Sequence, residues 1–381
     1  MRLKRLGKSY QTLAVLFLNT LILLLVIELT ACLLLTWLDR RNENELVQQR
    51  ISHSYYASQP WAETYWREHY QLQDRYHSYT VWRTAPFVGE TITIDVQGYR
   101  VTPGAECDTA AYTVFVFGGS AVWGHGSPDW GTIPAYVQQE LAAETVRPVC
   151  VRNFGEKAYV STQGLVELER ALQRGDVPDL VIFYDGVNDV AATYQNGRAG
   201  AHLNEPIITA QFTAGQTMAD LLEQTHTYQL LVRAATKTGL LWPAITAEPA
   251  HEDTAVLTEM VLQAYFTNYQ IVAALAGQYG FAYQFFWQPM MSAEVWQTSG
   301  FSEKSDLSVA LLDELYRQVY SQIAEQAGAY PCLADLSHLF DKQSESVWID
   351  RMHVTPPGNQ TIAQAITVAL QEDDSACHAN P

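Results

Sequence analysis

Ser120 stands in FVFGGSAVWGHG, where an apolar strand runs into two glycines and a serine; far along the chain, Asp350 and His353 stand three residues apart in DRMH. A hydroxyl is a weak nucleophile until a base takes its proton, so a serine needs a histidine, and the histidine needs a carboxylate to hold its other ring nitrogen. Asp and His at a spacing of three can share one side of a turn, which leaves one imidazole nitrogen facing outward for a serine. Two more short polar segments follow apolar runs, Asn153-Phe154-Gly155 and Gly186-Val187-Asn188-Asp189. Competing readings of the first segment fail on spacing. Gly118, Ser120 and Trp123 do not supply the three glycines of a dinucleotide fingerprint, no lysine follows as in a phosphate-binding loop, and Val122 stands where G-x-S-x-G needs its last glycine. His125 reads as a pocket wall rather than the base, Asp185 and Asp189 as loop-fixing carboxylates, and His338 with Asp341 as an ordinary surface pair.

The elements that must position these groups are written in the periodicity. YTVFVF, PVCVRN, DLVIFY, FAYQFFW and YPCLADL read as short buried strands, and amphipathic stretches such as TIPAYVQQELAAE and TQGLVELERALQRG separate them as helices. Further helices are expected near 255–276 and 308–327, and Thr355 caps a last helix that has Pro356 at its first position. Such alternation predicts an α/β fold with a mostly parallel sheet between helices, in which chemistry collects at the carboxyl ends of the strands. The four polar segments stand at those ends or after the last strand.

Taken together, the four segments resemble blocks I, II, III and V of the SGNH (GDSL-type) hydrolases, over residues 111–372, and the chain resembles a membrane-anchored bacterial envelope member of that family. The resemblance implies a three-layer, flavodoxin-like sandwich with a five-stranded parallel sheet. It also implies Ser120 as nucleophile, His353 as base and Asp350 as its orienting acid, with an oxyanion hole made by the Ser120 and Gly155 N–H groups and the Asn188 side chain. No cofactor and no metal are implied. One departure stands out: Gly119 occupies the place of the aspartate in the eponymous Gly-Asp-Ser. The expected activity is serine esterase chemistry on an O-acyl ester, O-acetyl first, carried by an envelope or secreted glycan or another small ester. An O-acyltransferase with the same triad and a catalytically silent binding protein are the alternatives.

Composition narrows partners and place. A net charge of −18 argues against nucleic acid, whose phosphates need a basic face. Residues 12–38 are long and apolar enough to cross a bilayer as a helix after a basic tail, 1–11, holding Arg2, Lys4, Arg5 and Lys8, which predicts a single membrane span with the body on the extracytoplasmic side. Glu28 inside this span must be protonated, snorkel or face a partner helix. Cys32, after Leu-Thr-Ala, offers the alternative of a processed lipoprotein, and a cleaved secretory peptide is a third route. Cys107, Cys150, Cys332 and Cys377 then lie on the oxidising side and allow two disulfides, with Cys107–Cys150 the favoured pair. Residues 39–110 read as a stalk rich in Tyr and Trp, whose aromatics pack on the main domain, ending in a hairpin at Gln97-Gly98. An insertion over 191–253 is too long for a simple connection and reads as a lid or binding segment, and 373–381 is a tail.

Overall fold

The computed structural model describes residues 2–105, 107–108, 110–213, 222–238, 253–292, 296, 307–341, 347–372 and 377. Two compact units divide the chain: residues 1–49 with 207–247, and 50–206 with 248–381. The aromatic segment 50–110 clusters with the main body.

In the larger unit, strands β5 (Tyr112–Gly118), β6 (Val149–Asn153), β7 (Leu180–Asp185), β8 (Ala282–Trp287) and β9 (Leu333–Asp335) form one five-stranded sheet in the order β6-β5-β7-β8-β9. Every neighbouring pair is parallel. This is the doubly wound α/β architecture expected from the sequence, with all five strands in their expected places. Both faces of the sheet are covered, which is why the strands are apolar throughout rather than alternating. Side chains still divide by parity. Phe115, Phe117, Phe183 and Phe285 face one core with helices α5 (Ser161–Gln173), α6 (Val187–Asn196), α9 (Thr254–Tyr279) and α10 (Leu307–Gln326). Val114, Val116, Ile182 and Phe286 face the other, with α4 (Ile133–Glu144) and α11 (Pro356–Glu372). On the first face the Phe117, Phe183 and Phe285 rings stack in a row at 5.0 and 4.7 Å. Each buried ring contributes about 1.5–3 kcal/mol and fixes strand register.

Preceding the sheet are helix α2 (Ala62–Gln71), the antiparallel pair β1 (Asp74–His77) and β2 (Val81–Thr84), and the pair β3 (Phe87–Val88) and β4 (Thr93–Ile94). The expected hairpin turns at Gly98 and returns through Arg100, which bridges both Ile94 and Asn153. Disulfides join Cys107 to Cys150 and Cys332 to Cys377.

The smaller unit contains all but the last two residues of one uninterrupted 50-residue helix, α1 (Arg2–Ile51). Its apolar part is long and apolar enough to cross a membrane, with a mean hydropathy of 2.5 over its most apolar window. With it cluster α7 (Glu205–Thr213) and α8 (His226–Lys237), which belong to the expected insertion; part of that insertion lies outside the described residues.

Candidate active site

The chain enters the sheet at β5, steps to β6 on one side and then to β7 on the other, so the carboxyl end of β5 is the topological switch point. Ser120 opens the four-residue helix α3 (Ser120–Trp123) directly after it. Its Oγ lies 2.6 Å from His353 Nε2. His353 Nδ1 lies 2.8 Å from Asp350 Oδ2. The carboxylate therefore accepts the Nδ1–H hydrogen bond and keeps the proton on Nδ1, which leaves the Nε2 lone pair for the serine hydroxyl. Residues 233 positions apart meet at this point.

The spacing of Asp350 and His353 works through a turn. Asp350 Oδ1 accepts the backbone N–H groups of Met352 and His353, both at 2.9 Å, and a small antiparallel bridge from Trp348 to Val354 closes the loop just before α11. Burial pushes the Asp350 carboxyl up, but the His353 charge and these hydrogen bonds outweigh it and hold the group well below the usual carboxylate range. Asp350 stays ionised, as the orienting partner of an imidazolium must.

Asn188 sits at the second position of α6, after the carboxyl end of β7. Its Nδ2 donates to the Tyr159 carbonyl at 2.8 Å, which fixes the carboxamide and leaves its second N–H for another acceptor. Gly119 makes this approach possible: a Cβ there would fall 2.4 Å from Asn188 Nδ2 and 3.1 Å from the Tyr159 oxygen. Gly119 is thus the space in which Asn188 lies.

Gly155 departs from its expected role. Its N–H is committed to Asn153 Oδ1 at 2.9 Å and is not free for an oxyanion. The glycine is needed for contact instead, because a Cβ would fall 2.5 Å from the Trp123 nitrogen and 2.7 Å from a Val122 methyl. Three residues on, Ala158 adopts φ +62°, a left-handed conformation uncommon for a residue with a side chain. It directly precedes Tyr159, whose carbonyl holds Asn188, and its N–H has no acceptor among the described hydrogen bonds. The sequence signal was present in NFGEKAYVS but indistinct, since nothing in an alanine announces a positive φ.

Also unexpected is how much of the site rests on residues 50–110. The loop 124–127 carries His125, whose ring lies 4.5 Å from that of His353. Tyr65 Oη accepts the Gly126 N–H at 2.7 Å, Tyr56 Oη donates to the Gly126 carbonyl at 2.7 Å, and Arg100 donates to the carbonyls of Trp123, Gly124 and Ser127. Arg100 also pairs with Asp129 at 2.9 Å and lies over the Trp123 ring. Trp66 and His69 enclose His125 from the other side, at ring distances of 5.4 and 4.9 Å. Burial first, then the charge of His353, keeps His125 neutral, with its pKa well below the ordinary histidine value. His125 is therefore the wall expected of it, and a base in direct contact with the serine is His353.

Asp189 accepts the Ser161 N–H and hydroxyl, the latter at 2.5 Å, and so ties the Asn188 loop to α5. Burial lifts its carboxyl to about 6 against those hydrogen bonds, and burial with the Asp189 charge pushes Asp185 well above the carboxylate range. His338 and Asp341 form an exposed pair at 2.8 Å. The ligand atoms of His125, Asp350 and His353 lie within 4.8 Å of one another, but Asp350 and His353 are engaged in the Ser–His–Asp chain, so coordinating an ion would break it. A cavity of about 830 Å³ lies along α10 beside Met290, Tyr316, Tyr320 and Arg351, and Ser120 and Asn188 are not among its lining residues.

No family model matches the chain, and no curated protein matches it in sequence. Several solved structures are similar to it. An α/β hydrolase enzyme from the metagenome of Lake Arreo, Spain, shares 16% identity over 70% of this chain and 99% of that one, with a TM-score of 0.38. A carbohydrate acetylesterase family member from Sinorhizobium meliloti shares 15% over 68% and 98%, at 0.34. A lipolytic protein of the G-D-S-L family from Veillonella parvula shares 14% over 67% and 97%, at 0.36. These are distant likenesses, and the reading of the site rests on its own geometry.

Proposed function

We propose that this chain is a serine esterase of the SGNH type that cleaves an O-acyl ester through a covalent acyl-enzyme. The observation that carries the reading is the Ser120–His353–Asp350 chain of hydrogen bonds, 2.6 Å at one end and 2.8 Å at the other. His353 Nε2 takes the Ser120 proton as Oγ attacks the ester carbonyl, and the resulting imidazolium is stabilised by ionised Asp350. The oxyanion is received by the Ser120 N–H, the free Asn188 N–H and, in place of Gly155, the Ala158 N–H. One such donor contributes about 3–4 kcal/mol to the transition state. The imidazolium then protonates the departing alcohol, and water repeats the sequence in reverse to release the acid and restore Ser120.

The preferred substrate is an O-acetyl ester on an envelope or secreted glycan. Its support is the place of the enzyme: an apolar N-terminal helix behind a basic tail, and two disulfides of the kind that persist in oxidising compartments. The full chain in detergent, offered p-nitrophenyl acetate beside Ser120→Ala and His353→Ala, tests the chemistry; both variants should lose at least about 1,000-fold in kcat at unchanged fold. Equal rates in all three would overturn the esterase reading in favour of a silent binding protein. Acetylated glycans with added sugar alcohols then separate hydrolysis from acyl transfer.

A further inference from the structure

Glu28 lies 16 residues past Thr12 in the apolar part of α1, where an ionised carboxylate has no water to solvate it. Its partner comes from 198 residues away. Oε1 accepts the His226 N–H at 2.6 Å and faces His226 Nδ1 at 2.9 Å, while Oε2 accepts the Thr227 N–H at 3.0 Å and the Thr227 hydroxyl at 2.7 Å. Those are the first two N–H groups of α8. The third, from Tyr228, goes to Thr225 Oγ1 at 3.3 Å, and the N–H of the capping residue Thr225 itself goes to the Leu222 carbonyl at 3.0 Å. A helix start leaves four N–H groups without intrahelical partners, and at a surface water commonly takes some of them. Here all four are satisfied by protein, as an apolar surrounding demands.

A second contact fixes the direction of α8: Arg233 Nη1 pairs with Asp39 at 2.7 Å. Between the two contacts, Ala31 and Leu35 are the buried residues of α1, on the same stripe as Glu28, whereas Leu24, Leu25, Val26, Leu29, Leu33 and Trp37 are exposed. Counting from Thr12, a hydrocarbon core of about 30 Å at 1.5 Å per residue ends near Ala31. Glu28 is then about 5 Å inside the edge and Asp39 about 12 Å beyond it. The start of α8 is held at the depth of the acyl chains and its Arg233 and Lys237 at the headgroups. Leu231 on α8 and Leu222, four residues before its start, have 64% and 59% of their surface uncovered.

We propose that helix α8 lies in the outer leaflet of the bilayer crossed by α1, with Glu28 as the tether and lipid as the occupant of its exposed apolar face. This rests on the reading of α1 as a membrane span. It also favours retention of α1 over processing at Cys32, since cleavage there would remove Glu28 and leave the start of α8 without its acceptor. Arg233 and Lys237 at one end, with Leu231 and Tyr228 uncovered on the outward face, suit a helix at a bilayer interface.

The test uses the full chain in a Cys32→Ser background, reconstituted in vesicles of phosphatidylcholine and phosphatidylglycerol. A single thiol-coupled fluorophore is placed at Leu231→Cys, at Leu24→Cys within α1, or at Val96→Cys on the larger unit, and quenching by lipids bearing a nitroxide near the headgroup is measured. Quenching at 231 should be about half or more of that at 24 and well above that at 96. Quenching at 24 with none at 231, and iodide access at 231, would overturn the inference while leaving the span intact. No quenching at 24 would remove the span and the inference together. Glu28→Ala should reduce the signal at 231 and leave that at 24 and the esterase rate unchanged; an unaltered signal at 231 would overturn the tether.

Discussion

Replacing Gly119 by alanine adds one carbon at the tightest point of the site. That carbon would fall 2.4 Å from Asn188 Nδ2, where an ordinary contact is about 3.4 Å, so the carboxamide must retreat by about 1 Å. The Tyr159 carbonyl, 3.1 Å from the same carbon, blocks the simplest escape and loses its hydrogen bond from Asn188 as the amide moves. Oxyanion donors act at about 2.7–3.1 Å, and a displacement of about 1 Å forfeits most of the donor's 3–4 kcal/mol. Gly119→Ala should therefore lower kcat on p-nitrophenyl acetate by about 100-fold with KM little changed, close to the effect of Asn188→Ala. The double variant makes the reasoning sharp. If the new methyl acts through Asn188, it costs almost nothing further once Asn188 is alanine, and the coupling energy nearly equals the single effect. Additive losses, or a Gly119→Ala rate within about threefold of the parent, would refute this account of Gly119.

Other consequences can be measured in the same protein. Arg100→Leu leaves the Trp123, Gly124 and Ser127 carbonyls and Asp129 without their buried donor, and should lower the urea unfolding free energy by about 3–5 kcal/mol; Arg100→Lys should not restore it, since one ammonium cannot reach all four. Burial, with the charges of Lys157 and Arg100, lowers His69 to about 3. The unfolded chain takes up that proton below about 6.5 while the folded one does not, so stability should fall by about 1.4 kcal/mol per pH unit between those values, and His69→Phe should flatten the slope in urea titrations at pH 6.5 and 4.5. Cys332 and Cys377 close a loop with a sequence separation of 45, so Cys332→Ser with Cys377→Ser should cost about 4 kcal/mol by the chain-entropy argument, read as a lower midpoint of thermal unfolding.

What the sequence determined by itself is what short-range pattern encodes. Apolar runs of five to seven residues between amphipathic stretches specify β5 to β9 and the helices between them, because strand and helix periods are local properties. The pairing of Asp350 with His353 is equally local, a turn whose own N–H groups hold the carboxylate. Ser120 stood out as a serine after two glycines at a strand end only in combination with the Asp350–His353 pair and the two other polar segments. Tertiary structure decided the rest, since it depends on atoms that meet only after the chain has folded. Gly155 and Ala158 look alike as small loop residues, and only the acceptor reaching Gly155 from Asn153 shows that its N–H is already spent. The aromatic segment 50–110 reads as a stalk until Tyr56, Tyr65 and Arg100 are seen to hold the loop beside His353. Glu28, alone in an apolar helix, has no visible reason until a helix start 198 residues away supplies its four hydrogen bonds. Burial makes each of these polar groups costly without a partner, and no local pattern can say which distant partner will arrive.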